Sequence, residues 1–222
     1  MIKGYIEKHI ISEEYKSEVF LMDCVEGMKM YEDDYFDLAI VDPPYGIGHS
    51  LLSGESRGSK FIRNERHVDW DILPKKEYFD ELFRVSKNQI IWGGNYFIEH
   101  LTNTKGMVIW DKMQEFSGSD FEFAWTSFNN PSKAYRKSRV EAYSKMNKIH
   151  PTQKPIGLYQ FCLNYASVTK GDKILDTHLG SGSSRIAAKT YDLNFTGFEV
   201  DIDYYNKSNK YYEDFVSQLT LF

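Results

Sequence analysis

Seven short runs of strand-forming residues punctuate the chain, and most are apolar from end to end: Val19 to Asp23, Phe36 to Asp42, Gln89 to Gly94, Gly106 to Lys112, Phe121 to Ser127, Lys173 to His178 and Phe195 to Asp201. A strand with one wet face alternates polar and apolar residues. A run such as Leu38 to Val41, which never alternates, must be covered on both faces, and that is the interior of a parallel sheet. Helix-like segments lie between these runs, at Lys75 to Ser86, at Pro155 to Val168 with Pro155 at the first position, at Ser183 to Tyr191 and at Ile202 to Leu219. The alternation predicts an α/β fold, a mixed and mostly parallel sheet with helices on both faces. Phe121 to Ser127 follows Gly106 to Lys112 with no helix between, which predicts an antiparallel hairpin at the sheet edge. A chain of 222 residues holds one such sheet, so a single domain over 1–222 is expected. Residues 46–71 and 129–149 break the rhythm: both are polar, basic and longer than routine connections, and read as small insertions with a function of their own.

Composition narrows the classes. With 41% hydrophobic, 27% charged and 16% aromatic residues the chain is globular and has rings to spare for stacking. No stretch reaches the length of a membrane span and the first residues lack a signal-peptide apolar segment, so a cytoplasmic protein is expected. Cys24 and Cys162 are far apart and have no metal-type spacing; six histidines show no paired pattern, so no metal is expected. The net charge of −5 is not that of a crude nucleic-acid binder. Its distribution is more telling: between Pro131 and Pro155, Lys133, Arg136, Lys137, Arg139, Lys145, Lys148 and Lys154 face Glu141 alone, a local charge of +6. Arg57, Lys60, Arg63 and Arg66, against Glu65, form a weaker cluster. Interleaved with Phe61, Tyr135 and Tyr143, such stretches suit a phosphate backbone with unstacked bases nearby.

Two turns carry the chemistry. The run Phe36 to Asp42 ends in Asp42, Pro43, Pro44 and Tyr45. Neither proline donates to a sheet, and each holds its predecessor extended, so the turn is stiff and presents a carboxylate, the Pro43 carbonyl and an aromatic plate in one arrangement. The run Lys173 to His178 leads through Gly180 and Gly182 into a helix; such a turn admits close approach to a ligand and offers helix N-terminal amides. About twenty residues on, Glu199 ends a strand where an acid accepts ribose hydroxyls. The glycine pattern is too short for a dinucleotide and no phosphate-loop lysine follows, which leaves an adenosine with a small charged tail. Between the turns, HPTQKP at His150 to Pro155 stiffens a helix entry.

In this order, DPPY, HPTQKP and LDTHLGSGS resemble the permuted, β-type amino-methyltransferases of DNA that use S-adenosyl-L-methionine (AdoMet), over nearly the whole chain from LMDCVEGMKM to FEVDIDYYN. The resemblance implies a Rossmann-like methyltransferase fold in which the catalytic motif precedes the cofactor motif. It makes Asp42 and the Pro43 carbonyl acceptors for the exocyclic amine of a target base, with Pro44 stiffening the turn and Tyr45 stacking on that base. It makes Asp176, Gly180 and Gly182 the cofactor strand and turn, Glu199 the ribose acid, and His150, Thr152 and Lys154 cofactor-side contacts, with Asp23 and Cys24 bordering the adenine. Thr177, His178 and Leu179 stand where the family usually has proline, phenylalanine and alanine. An aspartate opening the motif is usual for adenine-N6 enzymes. The expected substrate is double-stranded DNA with its target base flipped out; a homodimer and a companion restriction endonuclease stay open. The competing readings are a cytosine-N4 enzyme, an RNA adenine methyltransferase, a binding module without catalysis and a nicotinamide oxidoreductase.

Overall fold

The computed structural model describes residues 15–46, 72–113, 119–144, 148–150 and 152–219. Within them lie strands β1 (Ser17–Leu21), β2 (Leu38–Val41), β3 (Gln89–Trp92), β4 (Met107–Asp111), β5 (Phe121–Thr126), β6 (Lys133–Arg136), β7 (Lys173–Asp176) and β8 (Asn194–Glu199). The helices are α1 (Cys24–Met28), α2 (Lys76–Val85), α3 (Arg139–Tyr143), α4 (Ile156–Ala166), α5 (Ser183–Thr190) and α6 (Ile202–Leu219). The strands form a single sheet in the order β1-β8-β7-β2-β3-β5-β4-β6. From β1 to β3 every pairing is parallel; β5 runs antiparallel to β3 and β4, and β6 lies parallel to β4.

The continuous apolarity of β2 has the expected cause. Leu38 and Ile40 face one layer and Ala39 and Val41 the other, and all four are buried. Full burial of the Leu38, Ile40 and Val41 side chains stabilises by roughly 1.5–3 kcal/mol each. On one face of the sheet α2 sets Tyr78, Phe79, Leu82 and Val85 against Val41, Ile91, Trp125 and Leu175. On the other, α4 and α5 cover Ile40, Ile90, Trp92 and Ile174 with Leu158, Tyr159, Cys162, Leu163, Ala187 and Ala188. Arg185 fastens α5 to its neighbours from inside: its guanidinium lies 3.8 Å from the centre of the Tyr212 ring and donates to Ser17 and Asn209.

The sheet order creates a crevice. Strand β7 connects through α5 to β8 on one side, and its neighbour β2 connects through α2 to β3 on the other, so their carboxyl ends diverge at a topological switch point. The sequence order of the two motif-bearing strands has no bearing on this, because both loops leave the same edge.

Three expectations are corrected. Residues 129–149 are not wholly loop: β6 and α3 form there. A four-residue edge strand carrying Lys133 and Arg136 leaves no apolar run to read. The hairpin β4–β5 is antiparallel, yet it does not end the sheet, since β6 pairs outside β4. Pro155 occupies the capping position and α4 starts at Ile156. Of segment 46–71, all but Gly46 lies outside the described residues, Arg57, Lys60 and Arg63 included, as does Lys145. Among the described residues no helix is long and apolar enough to cross a membrane.

Candidate active site

A cavity of about 880 Å³ opens at the carboxyl edge of the sheet and reaches both motif turns. At one end it is lined by Asp42, Pro43, Pro44, Tyr45 and Tyr96, and at the other by Asp23, Cys24, His178, Gly180 and Glu199. His150, Thr152 and Lys154 line it as well. The volume lies within the range of small-molecule sites.

At the first end the Asp42 carboxylate is held on both oxygens. Oδ1 accepts the Tyr45 hydroxyl at 2.5 Å, and Oδ2 takes a very short contact from the Lys154 ammonium. Burial, with the Asp42 charge adding to it, raises the Tyr45 phenol well above its ordinary range, so the hydroxyl stays a donor. The Tyr45 ring is stacked on Tyr96, with centroids 4.8 Å apart and planes 14° apart. Gly93, at φ +71°, makes room for that ring: a Cβ there would lie 2.1 Å from a Tyr45 ring carbon. Lys154 is buried, 4% of its side chain being exposed. Burial would lower its pKa, but the Asp42 and Glu122 carboxylates outweigh burial and hold it raised and protonated. Its ammonium also lies 3.4 Å from Glu122 and over the Trp92 ring at 5.3 Å. Leaving either charge of such a buried pair alone costs about 3–5 kcal/mol.

The resemblance placed Lys154 on the cofactor side; its ammonium stands instead on the carboxylate of the other motif. Glu122 and Lys112, which line the cavity beside it, were not singled out from sequence. They sit at the start of β5 and the end of β4, and an acid and a lysine flanking a hairpin carry no local signal that distinguishes them from solvated charges.

At the second end the glycine turn is built from below and from the side. Asp176 does not line the cavity; it is buried beneath the turn, accepting the Ser184 hydroxyl and the His178 backbone N–H at 3.1 Å. Burial lifts its carboxyl to about 7. Gly180 and Gly182 have φ of +52° and +73°, conformations that favour glycine. Gly182 also lies behind the cavity wall, where a Cβ would come 3.3 Å from Ser208. Glu199 accepts the Gly180 N–H at 2.8 Å through Oε2 and the Val200 and Asp201 N–H groups through Oε1. Asp23 caps α1, accepting from Val25 and Glu26 at 2.9 and 3.1 Å.

The unusual residues after Asp176 form a chain of their own. The Thr177 hydroxyl meets Tyr78 OH at 2.7 Å and His178 Nδ1 at 2.9 Å, while His178 Nε2 stands 3.9 Å from Cys24 Sγ. Burial pushes His178 down to about 4 and Cys24 up to about 12, so both are neutral. Carboxylates and neutral groups at this turn fit a nucleoside with a cationic tail and no phosphates.

Among the basic residues, Arg139 and Lys148 line the cavity near Tyr143. Lys133, Arg136 and Lys137 lie farther along, on and just after β6; Arg136 is 3.7 Å from Asp111 and Lys137 is 3.9 Å from Glu141.

The sequence profile of the N6/N4 methyltransferase family, described as DNA methylase, matches residues 88–210, more than half of the chain. The chain belongs to this family of DNA amino-methyltransferases. Among relatives of this DNA methylase, the Type II methyltransferase M2.MboI of Moraxella bovis is 23% identical over an alignment 257 positions long, gaps included, covering 96% of this chain and 92% of the relative. M.HpaI of Haemophilus parainfluenzae is 24% identical over 218, covering 82% and 68%. The fold is shared with solved methyltransferases. TTHA0409 of Thermus thermophilus, solved with AdoMet, superposes with a TM-score of 0.58 at 14% identity, covering 90% of this chain and 94% of that one. The cytosine-N4-specific PvuII DNA methyltransferase gives 0.56 at 13% identity, covering 87% and 85%. The cofactor of this DNA methylase is AdoMet, and DNA is its substrate.

Proposed function

We propose that the protein methylates the N6 amine of adenine in double-stranded DNA, at a specific sequence, on a base turned out of the helix. One observation carries the reading: the Asp42 carboxylate and the Tyr45 ring share one cavity with the glycine turn and Glu199. Asp42 is supported for adenine by the family habit of opening the motif with aspartate. The cytosine-N4-specific fold relative marks the alternative, which the same acceptors serve chemically.

An aromatic amine is a poor nucleophile because its lone pair is delocalised into the ring. Hydrogen bonds from its two hydrogens to Asp42 and the Pro43 carbonyl draw the nitrogen toward tetrahedral geometry and localise that pair. Bound AdoMet would supply an electrophilic methyl on a sulfonium, whose bond to sulfur breaks as the nitrogen–methyl bond forms, so that sulfur leaves as a neutral thioether. Asp42 is placed to take the proton that the amine must lose once its N–C bond has formed. Tyr45 offers the displaced base a replacement stack, as an enzyme acting on a paired base requires. At the other end Glu199 and Asp23 are the acids that would face ribose and amine groups, and Gly180, with His150 beside it, and Thr152 shape the wall there. The remaining rate enhancement lies in alignment.

Arg139, Lys148, Lys133, Arg136 and Lys137, with Lys145, Arg57, Lys60 and Arg63 outside the described residues, are assigned to phosphates. We infer one catalytic domain over 1–222 with a short recognition site, or help from a second subunit. The Type II relatives support a role in a restriction–modification pair with a companion endonuclease in the cytoplasm.

The test is transfer of labelled methyl from AdoMet to unmethylated duplex DNA by wild type and Asp42→Ala, with the product digested to nucleosides. N6-methyladenine formed by wild type alone supports the whole reading. N4-methylcytosine moves the base; label in RNA, or AdoMet binding without transfer, overturns the substrate or the activity.

A further inference from the structure

A second carboxylate stands behind the first. Glu122 reaches Lys154 Nζ with Oε2 at 3.4 Å and Lys112 Nζ with Oε1 at 3.0 Å. Four charges therefore alternate in sign through the cavity wall: Asp42, Lys154, Glu122, Lys112. They come from the end of β2, the entry to α4, the start of β5 and the end of β4, so only the folded sheet assembles them. Burial would raise the Glu122 carboxyl, but Lys154 and Lys112 outweigh it and hold it below its usual range. A row of partly buried charges is a poor way to stabilise a hairpin, because apolar side chains of similar volume generally do as well or better. Its place beside the Asp42 carboxylate suggests another use.

An ammonium with Asp42 as its sole counter-ion would draw in the electron density that the target amine needs. Lys154 also touches the Tyr45 hydroxyl, at 3.3 Å. A second anion on the far side of the ammonium divides that pull.

We infer that Glu122, itself held by Lys112, is a positioning residue for methyl transfer: it shares the Lys154 ammonium with Asp42 and so leaves the Asp42 carboxylate available to the substrate amine. This rests on the reading of Asp42 as amine acceptor. The substitution of choice is Glu122→Gln, which keeps shape and hydrogen bonding and removes charge.

The experiment is single-turnover methyl transfer to unmethylated duplex DNA by the full chain, with AdoMet affinity measured by calorimetry on the same samples. Glu122→Gln is expected to slow transfer about tenfold with AdoMet affinity within about twofold. In a Lys154→Met background Glu122→Gln is expected to do nothing further, because no ammonium remains to be shared. A purely structural role would produce the same loss in both backgrounds. Equal loss in both, or a wild-type rate for Glu122→Gln, alongside an inactive Asp42→Ala, overturns the role of Glu122 and leaves that of Asp42. An Asp42→Ala enzyme as fast as wild type overturns both.

Discussion

Tyr45 carries two properties that substitution separates. Its ring stacks on Tyr96 and its hydroxyl donates to Asp42. Tyr45→Phe retains the ring, so DNA affinity should hold while transfer falls about 10- to 100-fold, the range for one hydrogen bond of about 1.5–3 kcal/mol to a charged group. Tyr45→Ala should lose about tenfold or more in both affinity and rate, stacking on an aromatic being worth about 1–3 kcal/mol per base. Anisotropy titration beside single-turnover rates separates the two, and equal behaviour of the variants would contradict the stacking role. Asp176 makes a different prediction. Its folded pKa is raised by burial to about 7 from 3.8. Between those values the folded chain keeps a proton that the unfolded chain has released, so this group lowers stability as pH rises through the window and has no further effect above it. Asp176→Asn should therefore gain on wild type between about pH 4 and pH 7, by on the order of 4 kcal/mol across the window. Melting curves at several pH values check this; a difference independent of pH would show that Asp176 is not buried as a neutral acid.

At the scale of elements, the ends of strands matter more than their middles. Gly93 follows β3, and its N–H bonds the Phe123 carbonyl at 2.8 Å, tying that end to β5. Its positive φ and the Tyr45 ring beside it penalise a side chain independently. Gly93→Ala should cost about 1–2 kcal/mol for the backbone, and by displacing Tyr45 should also reduce transfer, with AdoMet binding retained. Gly171 is the control: its φ is +90° and a Cβ there would meet nothing within 4 Å. Gly171→Ala should show only the backbone part of the loss in melting temperature, with unchanged transfer. If the two variants transfer methyl equally well, the Gly93 contact does not position the ring. The same scale explains what the sequence reading missed. Strands β2, β3 and β7 announce themselves because covered strands are apolar throughout. Helix α3 is short, and its one signal, Ser138 followed three residues later by Glu141, is a capping pattern that the structure shows in use, with Ser138 Oγ accepting the Glu141 N–H at 3.2 Å.

For the whole molecule, a chain of net charge −5 must bind a polyanion through a local surface. Arg139 and Lys148 line the cavity mouth, where phosphates beside a flipped base would pass. If each neutralises one phosphate, Arg139→Ala and Lys148→Ala should each weaken binding alike for all sequences and flatten the dependence of log affinity on log salt by about 1. An unchanged slope with weakened binding would assign the residue to something other than a phosphate.

The sequence by itself determined the class of sheet, the two stiff turns and the residue types each presents, because burial on both faces, proline geometry and positive φ are local demands written in local composition. Asp42, Tyr45, Gly180 and Glu199 were legible for that reason. What only the tertiary structure decided is which charges meet. Lys154 faces Asp42 across 112 positions of chain and Glu122 joins it from a hairpin. A charge in sequence carries no record of its partner; the diverging connections of β2 and β7 bring these groups to one edge, and exclusion of water there makes the pairing consequential.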